Sequence, residues 1–378
     1  MSERLPDYDI VISEKTLSNI LSYKKDIENG TAIAGDRLKK YLPATTTEQF
    51  IEALLATKQP RIFAESEIRA DGTDWTHREL ALLGDINVSM TVNVFDNGAW
   101  DKNDRHFKLH SPPLRASLLF TPGPLLGVGA GFNGIPPDYA EVTTNDQIEQ
   151  TKYNELMERR LLPLLAHANH AAGISGHKAL VVLPGIGAGA FAGKFKGTIG
   201  GHLDIALRHI LTKHGANLPH IGTVILDTFN EGVNARGNMG DIDYRSRPSV
   251  ANPGLPQLSS PLAWQEVGDD FSQYMLYKVV AWDHASLPGN DFFGASRFTD
   301  DGVAAAATNS MQVVTGITGN YATGAYNPPP GYSDWEDVAN KHGVKLRAQG
   351  NVKIAMSDGS YQPLASKPPG KTSRVPSP

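Results

Sequence analysis

Ala179-Leu-Val-Val-Leu-Pro-Gly-Ile-Gly-Ala-Gly-Ala-Phe-Ala-Gly193 is the stretch on which the fold turns. Its first five residues are continuously apolar, the mark of a strand buried on both faces. Glycines 185 to 193 make a loop. Ile199, Leu203, Leu207, Ile210 and Leu211 then recur at helical spacing, and Gly215 supplies a stop. Ile221 to Asp227 is the next apolar run. Strand, helix, strand at this spacing is a βαβ unit, and its crossover makes the two strands parallel. The expected class is α/β.

Upstream, Ile86, Val88, Met90, Val92 and Val94 alternate with polar residues as a half-buried strand does, within Ile86 to Phe95. Ala116 to Thr121 is a second strand, entering a glycine-rich loop over 122 to 134. Thr144 with Gln147 can cap a long helix reaching His170, with Tyr153, Met157, Leu161 and Leu165 inward. Pro163 within it predicts a kink or a break. Residues 12 to 60 read as helical, and Thr46-Thr-Glu-Gln49 has the form of a capping box. Downstream, Met275 to Trp282 and Met311 to Thr315 read as strands, with a further one over Val352 to Met356. The Gly/Pro/Asn-rich stretch Asn230 to Pro261 reads as a long irregular insertion, a candidate lid. The organisation expected is a helical extension over 1–75 packed on the core, a ligand-binding domain over 76–365 and a disordered tail over 366–378.

Of the 378 residues, 40% are hydrophobic and 20% charged, ordinary globular values. The net charge of −5 argues against broad attraction to nucleic acid, so an anionic ligand must be held by local donors. With no cysteine, a disulfide, a thiolate metal site and a cysteine nucleophile are all excluded. The first residues lack the apolar core of a signal peptide, and no apolar run is long enough to span a bilayer. A cytoplasmic, soluble protein is expected, with secretion as an effector the other placement.

Two features carry chemistry. In the 185–193 loop, glycines leave backbone amides unshielded just before a helix, a setting that cradles a phosphate or diphosphate. No Gly-Lys-Ser/Thr follows, so it is not an ATP P-loop, and the spacing fits a dinucleotide fingerprint poorly. The plainer alternative is a tight turn packed on the sheet. The second feature is Asp283, Asp291 and Asp301, just past the strand that ends at Trp282. Ligands bind at that edge of open α/β sheets. Converging carboxylates suit Mg²⁺ or Ca²⁺, or glycosidic cleavage. Alternatively Asp291 and Asp301 are helix caps and Asp283 a solvated loop residue. Asp300 is expected to point outward as a first-turn helix charge. His284 reads as a structural histidine and Arg297 as a partner for a nearby Asp or a ligand phosphate.

These two segments together resemble a known family. Leu183 to Gly193 is similar to the diphosphate loop of macrodomains and poly(ADP-ribose) glycohydrolases. The spacing of the aspartates in Trp282-Asp-His-Ala-Ser-Leu-Pro-Gly-Asn-Asp-Phe-Phe-Gly-Ala-Ser-Arg-Phe-Thr-Asp-Asp-Gly302 resembles that of MavL-type arginine-specific macrodomains, as does Tyr326-Asn-Pro-Pro-Pro-Gly-Tyr-Ser-Asp-Trp335. The resemblance spans roughly residues 80 to 340. It implies a macrodomain-like three-layer α/β/α fold with a mixed central sheet. It further implies hydrolysis of the bond between ADP-ribose and an arginine side chain of a protein, ubiquitin among the candidates. No cofactor or metal is implied. Asp283, Asp291 and Asp301 would be the catalytic acids. Gly187, Ala188, Gly189, Ala190 and Phe191 would hold the diphosphate and ribose. Asp85, in Gly84-Asp85-Ile86, would contact adenine. The Gly-Gly-Gly loop and paired glutamates of chain-cleaving glycohydrolases are absent. A non-catalytic reader of ADP-ribosylated proteins and a carboxylate-metal hydrolase share most of these features.

Overall fold

The computed structural model describes residues 6–61, 68–127 and 135–364. Ten strands form one mixed sheet: β1 (Tyr8–Ser13), β2 (Asn87–Asp101), β3 (His106–Pro122), β4 (Lys178–Pro184), β5 (Ile221–Asp227), β6 (Ala235–Met239), β7 (Ile242–Ser246), β8 (Tyr274–Trp282), β9 (Val352–Ala355) and β10 (Tyr361–Pro363). Their order across the sheet is β10-β9-β1-β2-β3-β8-β4-β5-β7-β6. From β3 through β8, β4 and β5 to β7 every pair is parallel. The β2–β3 and β6–β7 pairs are antiparallel.

Alternation along the strands builds two cores. Leu180 and Val182 face one, and Ala179, Val181 and Leu183 the other. The second core is closed by α4 (Gln150–Ser175) and α5 (Ile199–His214). The first is covered by α1 (Glu14–Glu28), α2 (Thr47–Leu55) and α3 (His77–Gly84), together with α6 (Asp300–Ala307), α7 (Ser310–Thr315) and α8 (Trp335–His342). This is the three-layer α/β/α arrangement with a mixed sheet that the resemblance implies.

The N-terminal layer is anchored by polar as well as apolar contacts. The capping box at α2 is present, with Thr46 Oγ1 accepting from Gln49 N and Gln49 Oε1 from Thr46 N. A second box starts α3. Its Glu79 is fully buried and accepts from Tyr23 OH and Gly35 N, both at 2.8 Å. The same segment supplies β1 to the sheet between β9 and β2.

Four local expectations are overturned. Met311 to Thr315 lies in a helix, α7; a short apolar run carries too little periodicity to tell strand from helix. Thr144 and Gln147 pair across a tiny hairpin instead of capping α4, because Asn145 and Asp146 both take the left-handed conformation its turn needs. Helix α4 then begins at Gln150 and passes unbroken through the buried Pro163. The 230–261 stretch is not irregular throughout: β6 and β7 extend the sheet there. Charge disguised β7. Its Arg245 is fully buried, held by Asp243 and Asp269, whereas hydrophobic alternation finds strands whose inward residues are apolar. Residues 128–134 of the first glycine-rich loop and the tail from 365 lie outside the described residues.

Candidate active site

The parallel strands β3, β8, β4 and β5 end at one edge, and loops after them enclose a cleft of about 610 Å³. The lining includes Gly185, Gly187 to Phe191, Asp227, Glu231, Trp282, Asp283, Asn290 and Asp300. A larger opening of about 690 Å³ lies elsewhere, lined by Arg115, Gln312 and Lys345 among others, and holds none of the predicted site residues. Strand ends and amides make the smaller cleft the candidate site.

Glycine geometry shapes one wall. Gly187 has φ +74°, open to glycine at little cost. A Cβ on Gly123 would lie 2.7 Å from the Gly187 nitrogen, so the loop after β3 packs backbone to backbone on the loop after β4. A short 3₁₀ turn, Ala190–Phe195, starts at this wall, and no side chain caps it. Its first amides are therefore available to an anion. Phe191 O accepts from Leu126 N and Gly127 N, at 2.9 and 3.0 Å, fixing the turn. Lys196 is an exposed cation on the same lining.

The other wall is built after β8. The Asp283 carbonyl accepts from Lys58 Nζ at 3.2 Å, and that ammonium also sits 3.8 Å over the Trp282 ring. Gln59 bonds Ala285 and Leu287 through its backbone, both at 2.7 Å. The N-terminal layer thus clamps the site loop. Asp283 lines the cleft, and Ser286 Oγ donates to its Oδ2 at 3.2 Å. Asp291 and Asp301 stand behind the wall. Asp291 accepts from Phe298 N, Thr299 N and Thr299 Oγ1 at 2.8, 3.2 and 2.6 Å, fastening the chain that leads into α6. Gly302 packs so tightly on this carboxylate that no Cβ fits between them. Asp301 is fully buried, and both its oxygens accept from Gly289 N at 3.0 Å. Of the three aspartates, only Asp283 lines the cleft.

Asp300 departs from its expected outward position. It lines the cleft and is held by the buried Lys278 at 2.9 and 3.1 Å and by Ala281 N at 2.9 Å. Asp227 closes β5 and also lines the cleft, accepting from Phe229 N, Ser249 N and Gln257 Nε2. Asp300, Asp227 and Asn290 line the cleft without a place among the site residues expected from sequence. Their signal was position at a parallel strand's end or within the aspartate block, but each side chain also had an ordinary capping role open to it.

Asp85, expected at adenine, stands away from the cleft: it is nearly fully buried and its carboxylate is taken by Arg159 and Arg160. Two guanidiniums outcompete a neutral base for one buried carboxylate. His284 is buried, with Nε2 3.2 Å from Asp138, and burial lowers its pKa, consistent with a structural role. Arg297 pairs with Asp96, 3.0 Å for its Nη1, and stacks 3.6 Å over Phe107. Phe292 and Phe293 are core, whereas Phe298 is exposed at the cleft.

Burial raises the Asp301 carboxyl well above the ordinary carboxylate value. Gly289 N–H opposes the shift, and neighbouring Asp283, Asp291 and Asp300 add to it. An unfolded Asp loses its proton near pH 4, while the folded one keeps it to higher pH. Above about pH 4 stability therefore falls as pH rises, until the folded group ionises in turn. Asp301→Asn removes that loss. Its melting temperature relative to the parent should climb from pH 4 towards neutrality; a difference that stays flat over this range would count against a raised carboxyl.

A mixed α/β/α fold with an amide-lined cleft at the ends of its parallel strands defines a macrodomain-type protein. A family model described as "Macrodomain effector MavL" matches residues 8–332, and the chain belongs to that family. The comparison with curated proteins gave no match. Membership in a macrodomain family suggests an ADP-ribose-related function. No helix among the described residues is long and apolar enough to cross a membrane. No group of three or more His, Asp or Glu among them has the arrangement of a metal site.

Proposed function

We propose that this protein is an ADP-ribosyl-arginine hydrolase, cleaving the bond between ribose C1″ and a guanidinium nitrogen of a modified protein. One observation carries the reading: a single cleft joins uncapped glycine-loop amides to a wall bearing Asp283 and Asp300. The amides suit a diphosphate. The carboxylates suit a cationic leaving group and the positive charge that grows on the ribose in the transition state.

Water adds to C1″ as the C1″–N bond breaks. ADP-ribose leaves with the hydroxyl, and arginine with the proton. Asp283, on the wall, is the candidate catalytic residue, acting on water or a ribose hydroxyl. Asp291 and Asp301 act from behind as positioning residues. Asp291 orders Phe298 and Thr299. Asp301 fixes Gly289 at the turn that carries Asn290.

The test is a parallel incubation with arginine-, serine- and glutamate-ADP-ribosylated peptides, with and without EDTA. ADP-ribose release from the arginine-linked peptide alone, surviving EDTA, is the expected result. Binding without release would instead make the protein a reader, and release abolished by EDTA a metal-dependent hydrolase. Ubiquitin modified on arginine is the first protein substrate to try.

A further inference from the structure

Two phenylalanines stand in water at the mouth of the cleft. Phe298 is 93% exposed and Phe229 65% exposed. Among the described residues they are the two exposed large apolar side chains on the cleft's lining, and neither belongs to a core. A lone exposed apolar residue is ordinary, but apolar surface gathered at a site marks an interaction. Both rings are carried on fixed backbone. Phe298 N donates to Asp291 Oδ2 at 2.8 Å, and Gly302 closes tightly on that carboxylate. Phe229 takes φ +62°, a costly conformation for a bulky residue. Its N–H donates to Asp227 Oδ1 at 2.9 Å, and its carbonyl accepts from Val250 N at 3.0 Å. Strain of this kind concentrates at ligand sites. Val233 and Val250, both exposed, extend the apolar surface on the Phe229 side, where Asn234 and Asn252 tie their loops by bonds of 3.2 and 2.7 Å.

Exposure decides what covers these rings. Phe191, the aromatic of the glycine loop, is 6% exposed, the setting of a ring that meets a ligand inside the cleft. Phe298 has almost no protein around it and so stands outside the walls. A small ligand within the cleft reaches at most one face of such a ring, whereas a polypeptide lying across the mouth covers it. The proposed substrate brings that polypeptide. Its guanidinium, placed at Asp283 and Asp300, ends a stem of three methylenes, which keeps the main chain at the mouth. Phe298 is two residues from Asp300, beside the path by which that stem leaves. Phe229 comes from a different strand end, in the loop after β5, so the mouth carries aromatic surface from two elements.

We propose that Phe298 and Phe229 form a docking rim for the polypeptide that carries the modified arginine, and that the rim takes apolar side chains flanking that arginine. The inference rests on the hydrolase reading and adds to it which protein segments are accepted. Rings on an already fixed backbone lose little freedom when a partner docks. Aromatic anchors of this kind carry a large share of the energy of an interface. Polar neighbours of the arginine leave the rings in water and gain nothing from them. Sequence context is therefore read at the rim, while the glycine loop holds the part common to all ADP-ribosylated substrates.

The test compares the full chain with a Phe298→Ser, Phe229→Asn double variant on two peptides, each bearing one ADP-ribosyl-arginine flanked by leucines or by serines. Asparagine tolerates the left-handed backbone at 229, and both rings are exposed, so the variant keeps its fold. The parent should show kcat/KM about tenfold higher on the leucine-flanked peptide, through KM, as a pair of aromatic anchors gives. The variant should lose that preference while its calorimetric affinity for ADP-ribose stays within about threefold of the parent. A parent that treats the two peptides alike overturns the rim. So does a parallel loss of ADP-ribose affinity, which would make the rings a wall for the nucleotide. A parent dimer in sedimentation that the double variant dissolves assigns the rings to a second copy of the chain and overturns it too. A parent that releases nothing from either peptide sinks the hydrolase reading separately. Peptide binding then decides the rim: tighter binding of the leucine-flanked peptide, lost in the variant, upholds it, and equal binding overturns it.

Discussion

Asp283→Asn should fold like the parent chain and lose turnover on an arginine-linked substrate by about 10²- to 10⁴-fold, the usual range for a positioned acid–base group. Its surroundings explain why folding survives. The backbone of Asp283 is held independently of its side chain, through Lys58 on its carbonyl. The bond from Ser286 Oγ to its side chain needs only an acceptor oxygen, which asparagine retains. The amide cannot take a proton from water or balance charge on an oxocarbenium-like ribose. ADP-ribose itself should bind nearly as well, because the diphosphate amides are untouched. Steady-state release of ADP-ribose, with calorimetric titration and thermal melting alongside, checks all three. Turnover within about threefold of the parent would remove Asp283 from the chemistry.

The largest stability effect should come from Arg160. Its guanidinium is fully buried, donating to Asp138 at 2.9 and 2.7 Å and to Asp85 at 3.1 Å. Burial alone would raise the Asp138 carboxyl. Arg160, with His284, outweighs it and holds the group well below the usual carboxylate range. Arg160→Met keeps the length of the side chain but takes the guanidinium from two buried carboxylates, leaving Asp138 to His284 and Leu125 N and Asp85 to Arg159. Removing one partner of such a set costs about 3–5 kcal/mol. A depressed Asp contributes stability above its unfolded value, near pH 4, and loses it as pH falls through its folded value. The gap between parent and variant should therefore be widest near neutrality and shrink below about pH 4. Urea denaturation at a series of pH values reads both. A loss under about 1 kcal/mol at neutral pH would mean the pair adds little. Function should suffer too, since Asp138 also accepts from Leu125 N at 2.7 Å, in the loop that packs on the glycine-loop wall of the cleft.

Much of the architecture could be read in order along the chain. The βαβ unit around 179–227, the strand to Trp282 and the capping box at Thr46 are all present. These are local signals, set by periodicity over a few turns or by one side chain reaching its own backbone. The failures share a different cause. Met311 to Thr315 is too short for its period to speak. Strand β7 is stabilised by Asp269 and Glu266, which arrive from beyond the next loop to neutralise Arg245 and Arg247. Asp85 sits in a familiar tripeptide, yet Arg159 and Arg160, many residues downstream, claim its carboxylate.

The aspartate block divides along the same line. The sequence alone determined the βαβ unit and the acid groups past a buried strand, and carried the resemblance to macrodomains, because those features are written in consecutive residues. They could not determine which acid does what. Asp300 and Asp301 are neighbours in sequence, but a helical step turns one towards Lys278 and the cleft and the other under Gly289 into full burial. One is left with acceptor capacity for a ligand, and the other has its carboxyl pushed towards the protonated form. Burial, counter-charge and access belong to the neighbours a side chain meets in space, and those come from β8, α6 and the N-terminal layer together.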